Sequence, residues 1–260
     1  MESKKKEQAV VISQQQVAEG IYDMWIETSL AAQARAGQFI SVYTQDKSAL
    51  LPRPISICET DKEKGELRIV YRVAGKGTKE FSNYQKGSRI DILGVLGNGF
   101  PIAAADKKRT LLIGGGIGIP PMLQLAKELG NAASRDIVVG YRNQELFLAE
   151  ELAKYAAVHI ATDDGSAGIK GTVMEAIAAQ QLTADVIFAC GPMPMLRAVK
   201  AYAQKQGISA YISLEERMAC GVGACLGCVV KTREMDHHSH VKNARICTDG
   251  PVYFAQDVEI

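Results

Sequence analysis

The sequence predicts an antiparallel β barrel, then an α/β domain with a parallel sheet, then a small C-terminal module organised by cysteines. Three observations predict it. Short β-rich runs separated by turn residues fill residues 9 to about 103. Strands then alternate with helical segments. Beyond Glu215 the chain is glycine- and cysteine-rich and loses all periodicity. The boundaries expected are 1–103, 104–214 and 215–260.

The barrel runs are Val10 to Ile12, Ile21 to Ile26, Phe39 to Val42, Leu67 to Val73 and Ile90 to Leu93, with turns such as Lys64-Gly65 and Lys86-Gly87. Leu51-Pro52-Arg53-Pro54-Ile55-Ser56-Ile57 reads as a connection between strands. In the second part, strands are expected at Arg109 to Ile113, Asp136 to Tyr141, Val158 to Thr162, Asp185 to Ala189 and Ala210 to Leu214. Helices are expected at Met122 to Leu129, Glu145 to Tyr155, Val173 to Gln181 and Met195 to Gln206. The last segment is too small to bury a core of its own and so calls for a metal centre.

Composition excludes several classes. The 260 residues are 47% apolar and 23% charged, ordinary values for a globular chain of roughly two domains. Lys plus Arg is 30 against 29 Asp plus Glu, a net charge of +1, which argues against a nucleic-acid binder. No apolar run approaches the roughly 20 residues of a membrane helix, and Met1 to Gln8 lacks the apolar stretch of a signal peptide. A cytoplasmic protein is expected. In that compartment clustered cysteines point to metal rather than disulfides.

The cysteine spacing is Cys220-x4-Cys225-x2-Cys228-x18-Cys247. Its first three members have the plant-type spacing for a [2Fe–2S] cluster held by four thiolates. The intervening glycines let backbone N–H groups approach an anionic cluster closely. A structural zinc site is the alternative, although zinc favours two close ligand pairs. His237, His238 and His240 fall in the polar loop before Cys247 and read as solvated, since four cysteines already complete a ligand set. Cys58 and Cys190 stand apart from the group.

Leu111-Leu112-Ile113 runs into Gly114-Gly115-Gly116-Ile117-Gly118-Ile119-Pro120-Pro121, a strand, a glycine turn and a helix start. Such a turn lets the backbone approach a pyrophosphate at a helix N-terminus. The second strand ends Gly140-Tyr141-Arg142 with no acidic residue, so the simple dinucleotide fingerprint is incomplete. Arg142 could instead meet a 2′-phosphate. In the barrel, Arg53 can pair with a phosphate and Ser56 can hydrogen-bond a ring edge or polyol chain. A further strand end, Val70-Tyr71-Arg72, and a further glycine-rich turn, Gly75-Lys76-Gly77-Thr78, follow.

Taken in order, the R-P-x-S segment, the G-G-G-I-G-x-x-P turn and Cys190-Gly191-Pro192 resemble the ferredoxin–NADP reductase superfamily. With the cysteine set, Ser213-x-Glu215-x-x-Met218-x-Cys220 and Thr162-Asp163-Asp164-Gly165-Ser166, residues 9 to 260 resemble the electron-transfer subunits of class 1B dihydroorotate dehydrogenases, enzymes of pyrimidine biosynthesis. The resemblance implies an FAD-binding barrel, an NAD-binding domain and a [2Fe–2S] module. It implies FAD at Arg53, Pro54, Ile55, Ser56, Val70, Tyr71 and Arg72, with Gly77 and Thr78 at its diphosphate. It implies NAD at Gly114, Gly115, Gly116, Ile117, Gly118, Cys190, Gly191 and Pro192, with Cys190 a candidate nicotinamide contact, and the cluster on Cys220, Cys225, Cys228 and Cys247. Ile55 departs from the superfamily's R-x-[YF]-[ST], leaving Tyr71 or another residue to stack on the flavin. The resemblance further implies an FMN-containing catalytic subunit as partner, in a heterotetramer of two of each, with electrons passing to NAD⁺. Other readings are the small subunit of a related ferredoxin:NADP oxidoreductase or sulfide dehydrogenase, and a non-catalytic zinc or iron–sulfur interaction module.

Overall fold

The structure is a computed structural model and describes residues 4–235 and 240–260. His237 and His238 lie outside the described residues. Six strands close an antiparallel barrel in the order β1-β2-β5-β4-β3-β6. They are β1 (Lys5–Ala18), β2 (Ile21–Glu27), β3 (Phe39–Val42), β4 (Arg53–Asp61), β5 (Glu66–Arg72) and β6 (Arg89–Leu96), with helix α1 (Lys76–Phe81) between β5 and β6. β1 is far longer than its apolar stretch because it serves two neighbours. Lys5 to Val10 pair with β6, and after a bulge beyond Val11 the strand continues along β2.

The Arg53 segment is a strand, not the connection expected. Two prolines argue against a strand in sequence, since proline cannot donate to a ladder. The structure accommodates Pro54 by pairing Arg53 to Ser56 with β3 alone, while pairing with β5 begins only at Ile57. Pro54 sits where the strand has one neighbour, and the barrel opens there between β4 and β5.

The second part is a sheet in the order β10-β9-β8-β7-β11-β12-β15. Its strands are β7 (Arg109–Gly115), β8 (Ser134–Tyr141), β9 (Ala157–Thr162), β10 (Ile169–Lys170), β11 (Val186–Cys190) and β12 (Ser209–Ser213), all parallel, plus β15 (Val252–Phe254), which is antiparallel to β12. Helices α2 (Pro120–Glu128), α3 (Ala149–Leu152), α4 (Val173–Ala179) and α5 (Met193–Gln206) connect the strands. The helix expected over 145–155 shrinks to one turn. Tight turns through 144–148 intervene, Leu148 takes φ 66°, and the Tyr141 hydroxyl donates to the Phe147 carbonyl at 2.9 Å.

The cysteine-rich segment contributes one hairpin, β13 (Val229–Lys231) and β14 (Asn243–Arg245). It then returns to the sheet edge as β15, so part of its core is borrowed. Cys228, Ile246 and Cys247 are packed in one apolar cluster with Leu96 and Phe39 of the barrel and Ile212 of the sheet.

A buried ion network ties barrel to sheet domain. Arg68 of β5 donates to both Asp23 oxygens at 2.9 and 2.8 Å, to Glu59 at 2.9 Å and to both oxygens of Glu151 on α3 at 2.6 and 2.9 Å. Lys127 of α2 pairs with Glu59. Among the described residues no helix is long and apolar enough to cross a membrane.

Candidate functional site

The parallel strand order reverses between β7 and β11, the switch point where open α/β sheets bind ligands beyond the carboxyl ends of their strands. The two expected nucleotide segments meet there. Gly114 and Gly115 end β7, and Gly116 to Gly118 form a short 3-10 turn before α2. A Cβ on Gly118 would lie 2.3 Å from the Cys190 carbonyl oxygen, and one on Gly191 would lie 2.5 Å from Met195 Cε and 3.1 Å from the Gly115 nitrogen. Glycine is required here by close backbone approach. Gly116 adds a φ of 54° that a side chain would strain.

This junction lies on a cleft of about 920 Å³. Gly115, Gly116, Ile117, Gly191 and Pro192 line it from the sheet, and Arg72 and Val73 line it from the barrel. Arg72 Nη2 lies 3.4 Å from where a Gly116 Cβ would stand, so the end of β5 meets the glycine turn directly. Arg142, Asp163, Met174, Met195 and Glu215 complete the walls. Glu215 faces open cleft but is walled by protein; this desolvation raises its carboxyl above the usual carboxylate range, and the Arg72 charge opposes the shift. Cys190 is 1% exposed. Burial, then the nearby Glu215 charge, raises its thiol, which stays protonated at neutral pH.

The barrel residues gather at the β4–β5 opening. The Arg53 guanidinium donates to the Leu51 carbonyl and covers Gly77. Thr78 Oγ1 accepts from the Ala74 and Gly75 N–H groups at 2.8 and 3.2 Å, which fixes the loop that presents Gly77. Ile55 and Tyr71 point into the barrel core at 8% and 2% exposure, and Val70, 2% exposed, points the other way into the apolar cluster under α2. The Tyr71 ring stacks on Tyr22 at 5.9 Å, meets Phe81 edge-on, and its hydroxyl donates to Gln14 at 2.7 Å. Its faces are therefore already in use within the barrel.

The four cysteines of the C-terminal segment come together as two pairs. Cys225 contacts Cys220, and Cys228 contacts Cys247. Cys228 and Cys247 are buried, Cys220 is half-buried and Cys225 is exposed. Among the described residues, no three His, Cys, Asp or Glu side chains converge as one metal ion would require. Two thiol pairs suit a two-iron centre with two thiolates per iron better than a tetrahedral zinc ion. The loop is preformed for anionic sulfur: the N–H groups of Val222 and Cys225 point to Cys220 Sγ, each at 3.4 Å. Burial pushes that thiol up, but these donors and Ala224 N–H outweigh it and bring it down to about 6. Gly221 and Gly223, at φ 67° and 85°, turn the backbone so that it can donate in this way.

Comparison with known proteins bears on this arrangement. The family model for the iron–sulfur cluster binding domain of dihydroorotate dehydrogenase B matches residues 215–259, and that for the oxidoreductase NAD-binding domain matches residues 112–201. The electron transfer subunit of dihydroorotate dehydrogenase B (NAD⁺) from Streptococcus mutans is 42% identical over 251 residues, covering 95% of this chain and 96% of that one. The chain belongs to the family of dihydroorotate dehydrogenase B electron transfer subunits. The family's Geobacillus thermodenitrificans member is also 42% identical, over 97% of this chain and 98% of its own.

Among solved structures, the NADH-dependent reduced ferredoxin–NADP oxidoreductase superposes with a TM-score of 0.86 at 29% identity, over 96% of this chain and 89% of that one. A ferredoxin NADP⁺ reductase from Neisseria gonorrhoeae shares the fold, with a TM-score of 0.67 at 17% identity. The chain is thus an oxidoreductase subunit of the electron-transfer type, with a catalytic partner subunit.

Four features of the site were not read from sequence. Met195 packs on Gly115, Glu215 faces Arg72 in the cleft, and the buried hydroxyls of Ser41 and Tyr253 lie against the cysteine loop or its cluster of apolar residues. Ser41 is remote in sequence from the cysteine motif it borders, and although Tyr253 follows Cys247 by six residues no local pattern marks either one.

Proposed function

We propose that this chain carries electrons from an FMN-containing dihydroorotate dehydrogenase subunit to NAD⁺, in a cytoplasmic heterotetramer of two of each subunit. Residues 1–103 form the FAD-binding part, 104–214 the NAD-binding part and 215–260 the cluster-bearing part. When bound, a [2Fe–2S] cluster passes single electrons and FAD gathers two of them for the nicotinamide.

Cys220, Cys225, Cys228 and Cys247 hold the cluster, and the Val222 and Cys225 N–H groups supply hydrogen bonds to Cys220 sulfur. Arg53 and the Gly77-Thr78 turn hold the FAD diphosphate. Pro54, Ile55, Ser56, Val70, Tyr71 and Arg72 border the flavin, with Ile55, Val70 and Tyr71 contributing backbone because their side chains are buried in apolar clusters. Gly114 to Gly118 and Cys190-Gly191-Pro192 border NAD.

The observation that carries this reading is the contact of Arg72 with the Gly116 turn. It joins the barrel's strand end to the switch-point cleft, so the two nucleotide sites share a wall. The test is purification with the neighbouring gene product, flavin and iron analysis, and a dihydroorotate/NAD⁺ assay. NAD⁺ reduction only in the complex supports the reading; dihydroorotate oxidation by the lone chain defeats it. The near full-length superposition on the ferredoxin–NADP oxidoreductase favours a second reading, a flavin/[2Fe–2S] subunit serving that reaction. An iron–sulfur-rich partner in place of an FMN protein would select it.

A further inference from the structure

Among the described residues, three buried side-chain oxygens have no hydrogen-bond partner: Ser41 Oγ, Thr60 Oγ1 and Tyr253 Oη. A buried hydroxyl without a partner is costly to keep, so such a group is expected to serve something that binds. Thr60 lies beside α2, away from the cysteines; its backbone N–H donates to Gln124. Ser41 Oγ borders Gly221, next to Cys220, where backbone N–H groups already point at the sulfur. Tyr253 is different. It lies on β15, opposite Ile212, and its ring packs in the apolar cluster that contains Cys228 and Cys247. Gly250 clears the path for the ring: a Cβ there would stand 2.7 Å from Tyr253 Oη. The hydroxyl thus lies over a residue only three past Cys247, beside the apolar cluster that holds the Cys228 and Cys247 thiols.

We propose that Tyr253 is a positioning residue for the cluster, its hydroxyl donating a hydrogen bond on the Cys228–Cys247 side and making the centre easier to reduce. Reduction adds one negative charge, and a donor aimed at a cluster sulfur stabilises the reduced form more than the oxidised one. On the buried Cys228–Cys247 side the donor also meets no competing water. The inference rests on the cluster reading given above. It adds that the sheet domain, through its edge strand, sets the potential of a centre whose ligands all come from the loop.

The test uses the full chain in complex with its partner, loaded with iron and sulfide, and redox titration followed by EPR. Tyr253→Phe keeps the ring and removes only the donor. It should retain full iron and shift the midpoint to more negative potential, by about tenfold in the one-electron equilibrium, or about 59 mV. Replacing Tyr253 with a fluorotyrosine makes the phenol a stronger donor and should shift the midpoint the opposite way. Thr60→Val, which removes an equally orphaned hydroxyl elsewhere, should leave it unchanged. In deuterated buffer, the exchangeable-proton coupling of the reduced cluster should lose one component in Tyr253→Phe. Iron-loaded native and Tyr253→Phe proteins that titrate at the same potential overturn the proposal. A native chain that binds no iron overturns the cluster reading instead.

Discussion

The Arg53 guanidinium rests directly on Gly77: a Cβ built on that glycine would stand 2.6 Å from Nε and 2.8 Å from Cζ. Gly77 needs no unusual φ, so its lack of a side chain serves space alone. The expected outcome is that Arg53→Ala and Gly77→Ala weaken flavin retention for linked reasons. Arg53→Ala removes a charge-assisted pair worth about 1.5–3 kcal/mol, roughly ten- to a hundredfold in affinity. Gly77→Ala keeps the arginine but displaces its head group, and should reproduce much of that loss. Flavin fluorescence released on dilution measures both; full retention in either variant removes Arg53 from the phosphate site.

Cys225→Ser should abolish the visible cluster absorbance and the bound iron. Cys225 is the exposed member of the set, so the substitution leaves the buried Cys228–Cys247 pair intact. Loss of iron then reports loss of a ligand rather than of the core. Cys58, fully buried in the barrel beside Arg68, is the control: Cys58→Ala should leave iron content unchanged.

The Arg68 network should govern cohesion between barrel and sheet domain. Arg68→Met leaves Asp23 and Glu151 without their cation, and Glu59 with Lys127 alone, and Asp23 is 3% exposed. Removing one partner of a buried ion pair costs about 3–5 kcal/mol. Chemical unfolding should show that loss, and an unchanged midpoint would rule the network out as a latch.

The same network predicts a pH signature. Hydrogen bonding from Arg68 holds the Glu151 carboxyl below its ordinary value of 4.5. A carboxylate favoured in the folded state contributes fully above its ordinary value and is lost as pH falls through the lowered one. Glu151→Gln should therefore be less stable than the native chain at pH 7, with the gap closing as pH drops below 4.5. Thermal melts across that range measure it; a gap that widens toward low pH has the wrong sign.

The sequence exposed the parts whose chemistry is local. The cysteine spacing, the Gly114 to Gly118 turn and the alternation of strands and helices each sit in one short stretch. It hid β4, because Pro52 and Pro54 speak against a strand and only pairing on one side permits it. It hid the shortness of α3, because Leu146, Phe147 and Leu148 read as a helical face but are spent on turns against Tyr141. It could not show Arg53 over Gly77, which depends on the order of strands in a closed barrel, nor Tyr253 behind the cysteines, which depends on β15 returning to the sheet edge. Of the apolar residues around the first three cysteines, Met218 is 7% exposed and packs inward, whereas Val222 and Leu226 stand out at 41% and 60%.

Leu226 carries the last prediction. It lies between Cys225 and Cys228, it is the more exposed of the two apolar side chains on this loop, and its φ of 55° holds it in a backbone conformation a leucine rarely adopts. A large apolar side chain kept in solvent at a strained position gains nothing for the isolated fold, and is explained if a partner covers it. Leu226→Glu keeps the backbone demand and replaces the apolar contact by a charge that a closed interface must desolvate. It should weaken dihydroorotate-dependent NAD⁺ reduction by the complex by about tenfold or more, the effect of losing an apolar anchor worth about 2 kcal/mol. It should spare the reduction of an artificial dye by NADH in the isolated chain, because the switch-point cleft and the Arg53–Gly77 site lie elsewhere. Iron content should also be unchanged, since Cys225 and Cys228 remain. Binding of the catalytic subunit should fall in parallel with the coupled activity. Equal loss of the dye reaction would mean that the substitution damages the chain itself, and unchanged coupling would show that the cysteine loop is not the docking face.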